Sequence, residues 1–396
     1  MSRRWLVLVA CATACASTEV LDGSGPPDES RGVPEPGPSL DGGLDAAREV
    51  DACPDADCEY FPEVCSPDSL CPNGPFDSTP SGDGLDPLLM INVIRGRSTS
   101  DIWAAGAMGA IAHFDGTSWT RSDLGSRETL KALWLLDSGE VTFGTFSRTY
   151  TRGLEVGDAG AGASAGGWTL GVPAIPPDLR PTQVQLGSTW SAPGSKWLWC
   201  AATPIFQGSG LWRMRRSPEA VLAVEAGGAA DVCSVEPCGR MNSIHGASAN
   251  ELWAVGEVGS AVRITGADGD SPVIQGFNTQ TWNALNGVWA ASPTDVWAVG
   301  AGGTVRHYTG DAMLWETVAG VPTNEVLRAI SGSSSSDIWA VGDAGIVLHY
   351  DGKSWSRVKV AGLGPRRPDF TTVWVAAPGH VWVGAQGVIL SLGGKP

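Results

Sequence analysis

Three histidines and two tyrosines stand at positions from which they could do chemistry. His113, His307 and His349 could ligate a metal ion, while Tyr308 and Tyr350 could act as nucleophiles. All five occupy equivalent positions in different copies of one sequence pattern. Equivalent positions on the outer strands of separate repeats do not converge on one ion or one substrate, so we interpret these side chains as packing residues of a repeated unit.

The unit is best seen in "DIWAVGDAGIVLHYDGKSW" (337–355), which "DIWAAGAMGAIAHFDGTSW" (101–119) matches almost position for position. A third copy, "DVWAVGAGGTVRHYTGDAMLW" (295–315), has two extra residues near its end, and shorter or weaker copies follow the same plan. The seven anchor positions are Trp103, Val141, Trp199, Trp253, Trp297, Trp339 and Trp382. We interpret the acidic residues that open the pattern as turn residues: Asp101, Glu251, Asp295 and Asp337. A repeat of about 44 residues with several short strands per copy is typical of a β-propeller.

Each copy contains four short apolar segments separated by turn residues. In the sixth copy these are "VLRAISG", "DIWAVG", "IVLHY" and "SWSRVKV". The second and third are apolar on both faces, as expected of a sheet packed between two neighbours. The sequence therefore predicts an all-β, seven-bladed propeller with four-stranded blades over 88–396. The last copy lacks a fourth strand, and we expect the segment near Leu85 to Ile94 to supply it and close the ring.

The first 15 residues, "MSRRWLVLVACATAC", have two arginines, an apolar run and small residues ending in cysteine. This pattern is typical of an export signal. It resembles a bacterial lipoprotein signal, which implies a membrane anchor through an acylated cysteine. We favour Cys15 as that cysteine; Cys11 is the alternative, although it leaves an apolar core of only six residues. An ordinary cleaved secretory signal is the other interpretation.

Residues 16–87 form an acidic segment rich in Pro, Gly and Asp, with 17 of the 42 acidic residues and two of the 26 basic ones. Few aromatics and no periodicity predict a disordered tether. Four closely spaced cysteines lie in it, and in an exported protein they indicate two disulfides in one of three pairings; a zinc or calcium site is the alternative. The cysteines for which we predict disulfides are Cys53, Cys58, Cys65, Cys71 and the separate pair Cys233 and Cys238, which leaves Cys200 single.

The repeats resemble those of exported bacterial propeller lipoproteins, of the kind abundant in myxobacteria, with the pattern "sDvWAVG…G…HydG…W". They are more distantly similar to BNR (Asp-box) and WD40-like propellers, and "HFDGTSW" and "HYDGKSW" only approximate the Asp-box pattern. The resemblance implies a protein of the cell envelope, in the outer membrane and facing the periplasm or the cell surface. It says little about activity, because propellers host many functions.

One set of positions differs from repeat to repeat, on the innermost strand of each unit. This inner column consists of Arg95, Trp134, Trp190, His245, Trp289, Ser331 and Trp374. Aromatic rings at a channel mouth can stack on sugars or hold a peptide, with Arg and His adding specificity. The alternative is that the tryptophans fill space between blades. Long insertions around 151–182 and 203–240 could cover one end of the channel.

Composition limits the function further. The net charge of −16 comes almost entirely from the acidic segment, so the body has no basic surface for nucleic acid. The sequence has no zinc-protease or phosphate-cradling motif, and we expect no metal and no cofactor. We therefore predict a monomeric, non-catalytic binding module for a glycan or an envelope or extracellular protein. A sialidase-like hydrolase or lyase acting on glycans is the alternative.

Overall fold

The computed structural model describes residues 58–77, 84–154, 162–177, 179–180, 183–205, 208–217, 221–229 and 231–394. Cys11, Cys15 and Cys53 lie outside these ranges. Within them, 28 strands form seven antiparallel sheets of four strands each. The predicted seven-bladed propeller is confirmed, and the two weakest repeats form complete blades.

The strands follow one another around the ring, from the innermost to the outermost strand of each blade. Strand β1 (Leu70–Pro72) precedes the first blade, which consists of β2 (Ile91–Ser98), β3 (Asp101–Gly106), β4 (Ile111–Phe114) and β5 (Trp119–Arg121). The second blade consists of β6 (Ala132–Leu136), β7 (Gly139–Phe143), β8 (Thr149–Arg152) and β9 (Thr169–Gly171). The third blade consists of β10 (Val184–Trp190), β11 (Leu198–Pro204), β12 (Leu211–Arg216) and β13 (Leu222–Ala226). The fourth blade consists of β14 (Met241–Ser248), β15 (Glu251–Gly256), β16 (Ser260–Thr265) and β17 (Val273–Asn278). The fifth blade consists of β18 (Leu285–Ser292), β19 (Asp295–Gly300), β20 (Val305–Tyr308) and β21 (Glu316–Thr317). The sixth is β22 (Leu327–Ser334), β23 (Asp337–Gly342), β24 (Val347–Tyr350) and β25 (Trp355–Arg357), and the seventh contains β26 (Thr372–Ala377), β27 (His380–Ala385) and β28 (Val388–Leu392). A four-residue helix, α1 (Val232–Val235), follows the third blade.

The glycines of the repeat are explained by the turn between the second and third strands. In the sixth blade Ala344 and Gly345 adopt left-handed backbone conformations, with φ of 54° and 73°. A Cβ atom on Gly342, one step before the turn, would overlap the carbonyl oxygen of Val326 on the adjoining loop. The "VG-x-x-G" spacing therefore records a close backbone approach and a tight turn, not a ligand site.

The Asp, Trp and His positions of the repeat meet within one blade. His349 lies opposite Trp339 in the β23–β24 register, and their rings are 4.5 Å apart. Asp337 accepts hydrogen bonds from the Trp339 indole nitrogen at 2.8 Å and from Nε2 of His349 at 2.9 Å. Burial opposes the charge of Asp337, but its hydrogen bonds from Ser333, Trp339 and His349 hold the pKa of the carboxyl below its usual value. The acidic residue thus begins the second strand and joins it to the third, a larger role than the turn position that we expected.

The ring closes with a strand other than the one we predicted. Strand β1 (Leu70–Pro72) is the outermost strand of the seventh blade, where Leu70 lies opposite Leu392. The predicted segment, Leu85 to Ile94, is divided: Ile91 begins the innermost strand of the first blade, and Leu85 forms an isolated bridge with Phe76. The prediction was wrong because Ile91–Ser98 is needed as an innermost strand. Part of the acidic segment 16–87, the strand Leu70–Pro72, therefore belongs to the propeller.

Two disulfide bonds join described residues. One links Cys65 to Cys71, at the closing strand, and the other links Cys233 to Cys238 beside α1. Cys200 is a buried free thiol whose pKa is raised by burial. Only the backbone of Cys58 is described.

Candidate functional site

The residues of the inner column surround one cavity on the propeller axis. The cavity, here called the axial channel, has a volume of about 830 Å³. Every blade contributes to its wall, through β2, β6, β10, β14, β18, β22 and β26. The structure thus brings together all seven positions of the inner column: Arg95, Trp134, Trp190, His245, Trp289, Ser331 and Trp374. A concave site of this size fits a small molecule or a short segment of chain.

The tryptophans of the channel also pack between blades. Trp134 and Trp289 are only 4% and 6% exposed, whereas Trp190 and Trp374 are half-buried. A Cβ atom on Gly96 of the first blade would overlap the Trp374 ring of the seventh. The same relation holds between Gly246 and Trp190 and between Gly332 and Trp289. Each of these rings therefore fills a notch in the next blade and reaches the channel with its remaining surface.

Polar side chains of the wall are engaged in hydrogen bonds from blade to blade. One set donates a side-chain amide to a carbonyl oxygen of the next blade: Asn92 to Leu130 at 2.8 Å, Asn242 to Leu285 at 3.0 Å, and Asn286 to Leu327 at 3.0 Å. A second set accepts from a backbone N–H of the next blade: Ser188 from Ile244 at 2.9 Å, Ser243 from Val288 at 3.1 Å, and Ser331 from Val375 at 3.1 Å. These bonds satisfy the inner-strand edges, which would otherwise expose unpaired backbone groups to the channel.

Arg95 contributes a positive charge to the wall of the channel. Its Nη1 donates a hydrogen bond to the carbonyl oxygen of Ile94 at 2.8 Å. No carboxylate of the described residues lies within ion-pair distance of its guanidinium. Burial lowers the pKa of Arg95 to about 10, so the group remains charged at neutral pH.

His245 lies between two tryptophans, with ring centroids 5.2 Å from Trp190 and 6.2 Å from Trp289. Its Nδ1 accepts a hydrogen bond from the N–H of Ala290 at 3.1 Å, which places the proton of the neutral ring on Nε2. Burial, and then the charge of Arg95, lower the pKa of His245 to about 3. The ring is therefore neutral at physiological pH and offers one N–H donor.

The remaining charges on the wall are mostly positive. They are Arg97, Lys131, Lys196, Arg216 and Arg328, against a single acid, Asp137. Arg97 pairs with Asp101 and Glu140, Lys196 with Asp270 and Arg328 with Asp343. Lys131 donates to the carbonyl oxygen of Leu186 at 3.3 Å. The wall therefore has more basic than acidic side chains, although the chain as a whole is acidic.

A charged cluster that the sequence analysis missed lies between the first and second blades. Glu140, only 7% exposed, accepts from Nη2 of Arg97 at 2.9 Å and from Nη1 of Arg152 at 3.2 Å. Arg97 also pairs with Asp101 at 2.9 Å, and the cluster borders a second cavity of about 510 Å³. Both guanidinium groups are directed at Glu140, so the cluster ties two blades together. Arg97, Glu140 and Arg152 occupy different positions of the repeat pattern, so their spacing in the sequence does not indicate this cluster.

The long insertions contribute little to the channel. Of their described residues, Leu154 and Arg216 reach the wall. Among the described parts of the chain, no three His, Cys, Asp or Glu side chains are grouped so that they could hold a metal ion. No helix in those ranges is long and apolar enough to span a bilayer.

Comparisons with known proteins show the fold and leave the family open. No protein-family model and no curated protein matches the chain. Among solved structures, YCF48 bound to D1 peptide is 15% identical, with a TM-score of 0.57 over 84% of this chain and 96% of that one. The WD40 propeller domain of Doa1 is 11% identical, with a TM-score of 0.52 over 76% of this chain and 91% of the other. A catalytically inactive virginiamycin B lyase from Staphylococcus aureus, solved with quinupristin, is 12% identical, with a TM-score of 0.57 over 78% and 96%. The chain is thus distantly similar in structure to WD40-like and other propellers, which include both binding proteins and an enzyme.

Proposed function

We propose that the protein is a non-catalytic binding module that takes a segment of a protein partner into the axial channel. The observation that carries the proposal is the channel itself: half-buried Trp190 and Trp374, and the free guanidinium of Arg95, face one cavity of about 830 Å³. Large rings with one specific charged group are the usual anchors of a binding site. The peptide bound to YCF48 is consistent with this use of the fold, at the level of fold alone.

The channel wall favours binding over glycoside hydrolysis. Glycosidases of the usual kind need two carboxyl groups, about 5 to 9.5 Å apart, on either side of the scissile bond. Among the described residues, the wall contains one carboxylate, Asp137. A glycoside hydrolase that uses two carboxyl groups is therefore less favoured. Among the described residues no tyrosine lines the wall, so a sialidase with a tyrosine nucleophile is less favoured as well.

We further propose that the module is held at the cell envelope by a lipid on Cys15, with Cys11 as the alternative. The support is the pattern of the first 15 residues, which lie outside the described ranges. About 40 residues separate this cysteine from the first described residue.

Selection from a random peptide library on the full-length chain tests the binding function. We expect Trp190→Ala to weaken selected peptides about 10- to 100-fold, because it removes an aromatic anchor from the wall. Trp282→Ala is the matched control, since that ring is 85% exposed and lies outside the channel wall. Failure to select any peptide, or loss of binding in Trp282→Ala alone, would refute the proposal.

A further inference from the structure

Arg95 and His245 present polar groups to the axial channel that the fold does not use. The guanidinium of Arg95 has one hydrogen bond, to the backbone oxygen of Ile94, and no acid partner among the described residues. Arg95 is half-buried in the wall of the cavity, and a partly desolvated cation without a counter-charge favours an anionic ligand.

His245 faces the same space from the opposite side of the ring. Arg95 belongs to the first blade and His245 to the fourth, and both line the channel. Nδ1 of His245 is fixed by the N–H of Ala290, so its unused group is the Nε2–H donor. Burial, and then the positive charge of Arg95, lower the pKa of His245, so the ring stays neutral and keeps this one N–H donor.

We propose that the channel binds a carboxylate of a peptide, between the guanidinium of Arg95 and the Nε2–H of His245. The apolar part of the peptide then lies against the rings of Trp190 and Trp374. This inference rests on the proposed function and names the chemical group that the site recognises. Arginine is suited to this role, because its planar fork matches the two oxygens of a carboxylate.

The wall favours a peptide over an acidic sugar. A buried sugar requires a hydrogen-bonding partner for each of several hydroxyl groups. The amides of Asn92, Asn242 and Asn286 are already donated to neighbouring blades, and Ser188 and Ser243 already accept from them. Four tryptophans, and an arginine without an acid partner among the described residues, suit a ligand with an apolar body and an acidic end.

The test compares peptides that differ only in their carboxylate. Peptides selected on the full-length chain are resynthesised with a free C-terminal acid, with a C-terminal amide, and with acidic side chains replaced by amides. Affinity is measured by calorimetry for the unmodified chain and for Arg95→Gln, Arg95→Lys and His245→Asn. Arg121→Gln is the matched control, because Arg121 lies exposed on the outermost strand of the same blade.

We expect removal of the recognised carboxylate to weaken binding about 10- to 100-fold, the range for a hydrogen bond to a charged group. Arg95→Gln should reduce affinity by a similar factor and make the acid and amide forms bind alike. Arg95→Lys should recover part of the loss, and Arg121→Gln should have no effect. His245→Asn keeps an acceptor for Ala290 and should weaken only the acid form.

Each failure has a separate meaning. If selected peptides bind through Trp190 but the acid and amide forms bind equally, the carboxylate site is wrong and the binding function stands. If N-acetylneuraminic acid or oligogalacturonate binds through Arg95 while peptide acids do not, the peptide assignment is overturned. If Arg95→Gln and Arg121→Gln have the same affinity and thermal stability as the unmodified chain, Arg95 has no role in recognition.

Discussion

The tryptophan of the repeat allows a test of the blade core within one molecule. The indole nitrogens of Trp297 and Trp339 donate to the aspartates that begin their own strands, at 2.9 and 2.8 Å. The indole nitrogens of Trp103 and Trp253 are buried and have no hydrogen-bond partner among the described residues. Replacing each of the four by phenylalanine removes the same atoms from equivalent positions.

The difference arises from what the acidic residue does in each blade. Asp101 pairs with Arg97 and accepts from His113 at 2.8 Å, and Glu251 pairs with Arg263, so neither carboxylate accepts from its tryptophan. Loss of packing should be similar in all four variants, because all four rings are at most 5% exposed. This loss of packing free energy is common to the four variants, so it cancels when their free energies of unfolding are compared.

The expected magnitude follows from the hydrogen bonds. A hydrogen bond to a charged acceptor contributes about 1.5–3 kcal/mol, and an unsatisfied buried donor costs about 1–3 kcal/mol. Trp297→Phe and Trp339→Phe lose a hydrogen bond to a charged acceptor. Trp103→Phe and Trp253→Phe instead remove a buried donor that has no partner among the described residues. We therefore expect the first pair to be less stable than the second by about 2 kcal/mol or more.

The assay is urea unfolding of the full-length chain, followed by far-UV circular dichroism so that the loss of a tryptophan does not alter the signal. Equal slopes with denaturant concentration establish that the variants unfold to the same extent. Equal losses of stability in all four variants, or a larger loss for Trp253→Phe than for Trp339→Phe, would refute this account of the blade core.

Three further results are expected. Leu70→Ala in the closing strand should cost about 2–5 kcal/mol of unfolding free energy in urea, because Leu70 is fully buried in the seventh blade, whereas a loss below about 0.5 kcal/mol would contradict closure by this strand. The pKa of His245 is lowered from 6.5 to about 3 in the folded chain. Between these pH values the imidazole is therefore protonated in the unfolded chain but not in the folded one. Stability should therefore fall as pH drops below about 6.5, by at most ~1.4 kcal/mol per pH unit relative to His245→Asn, and parallel pH profiles of the two proteins would contradict this. Cys15→Ser should abolish acyl labelling and release the protein from membranes while Cys11→Ser has a milder effect. The reverse would assign the lipid to Cys11, and an unmodified protein that takes up no acyl label would exclude the anchor.

The sequence was sufficient for the architecture because the blades repeat. Seven anchor positions with turn glycines at fixed offsets define the strands of each blade, and the inner column follows from the same alignment. The closing strand could not be found in this way, because Leu70–Pro72 is three residues long, stands outside the repeat and pairs with a strand more than 300 residues away.

The site was predictable only in part. That Arg95 and His245 share a channel follows from their equivalent positions, but which polar groups remain unused does not. The sequence does not show whether Asn92 and Ser243 are free to contact a ligand, and only the packing of neighbouring blades shows that they bond to Leu130 and Val288. The Arg97–Glu140–Arg152 cluster likewise depends on contacts between blades.

A crystal structure of the full-length chain with a selected peptide tests the central claim most directly. We expect the peptide in the axial channel, with a carboxylate within hydrogen-bonding distance of the Arg95 guanidinium and of Nε2 of His245, and with apolar atoms against Trp190 and Trp374. A peptide bound on an outer face of the propeller, with the channel unoccupied, would contradict the account.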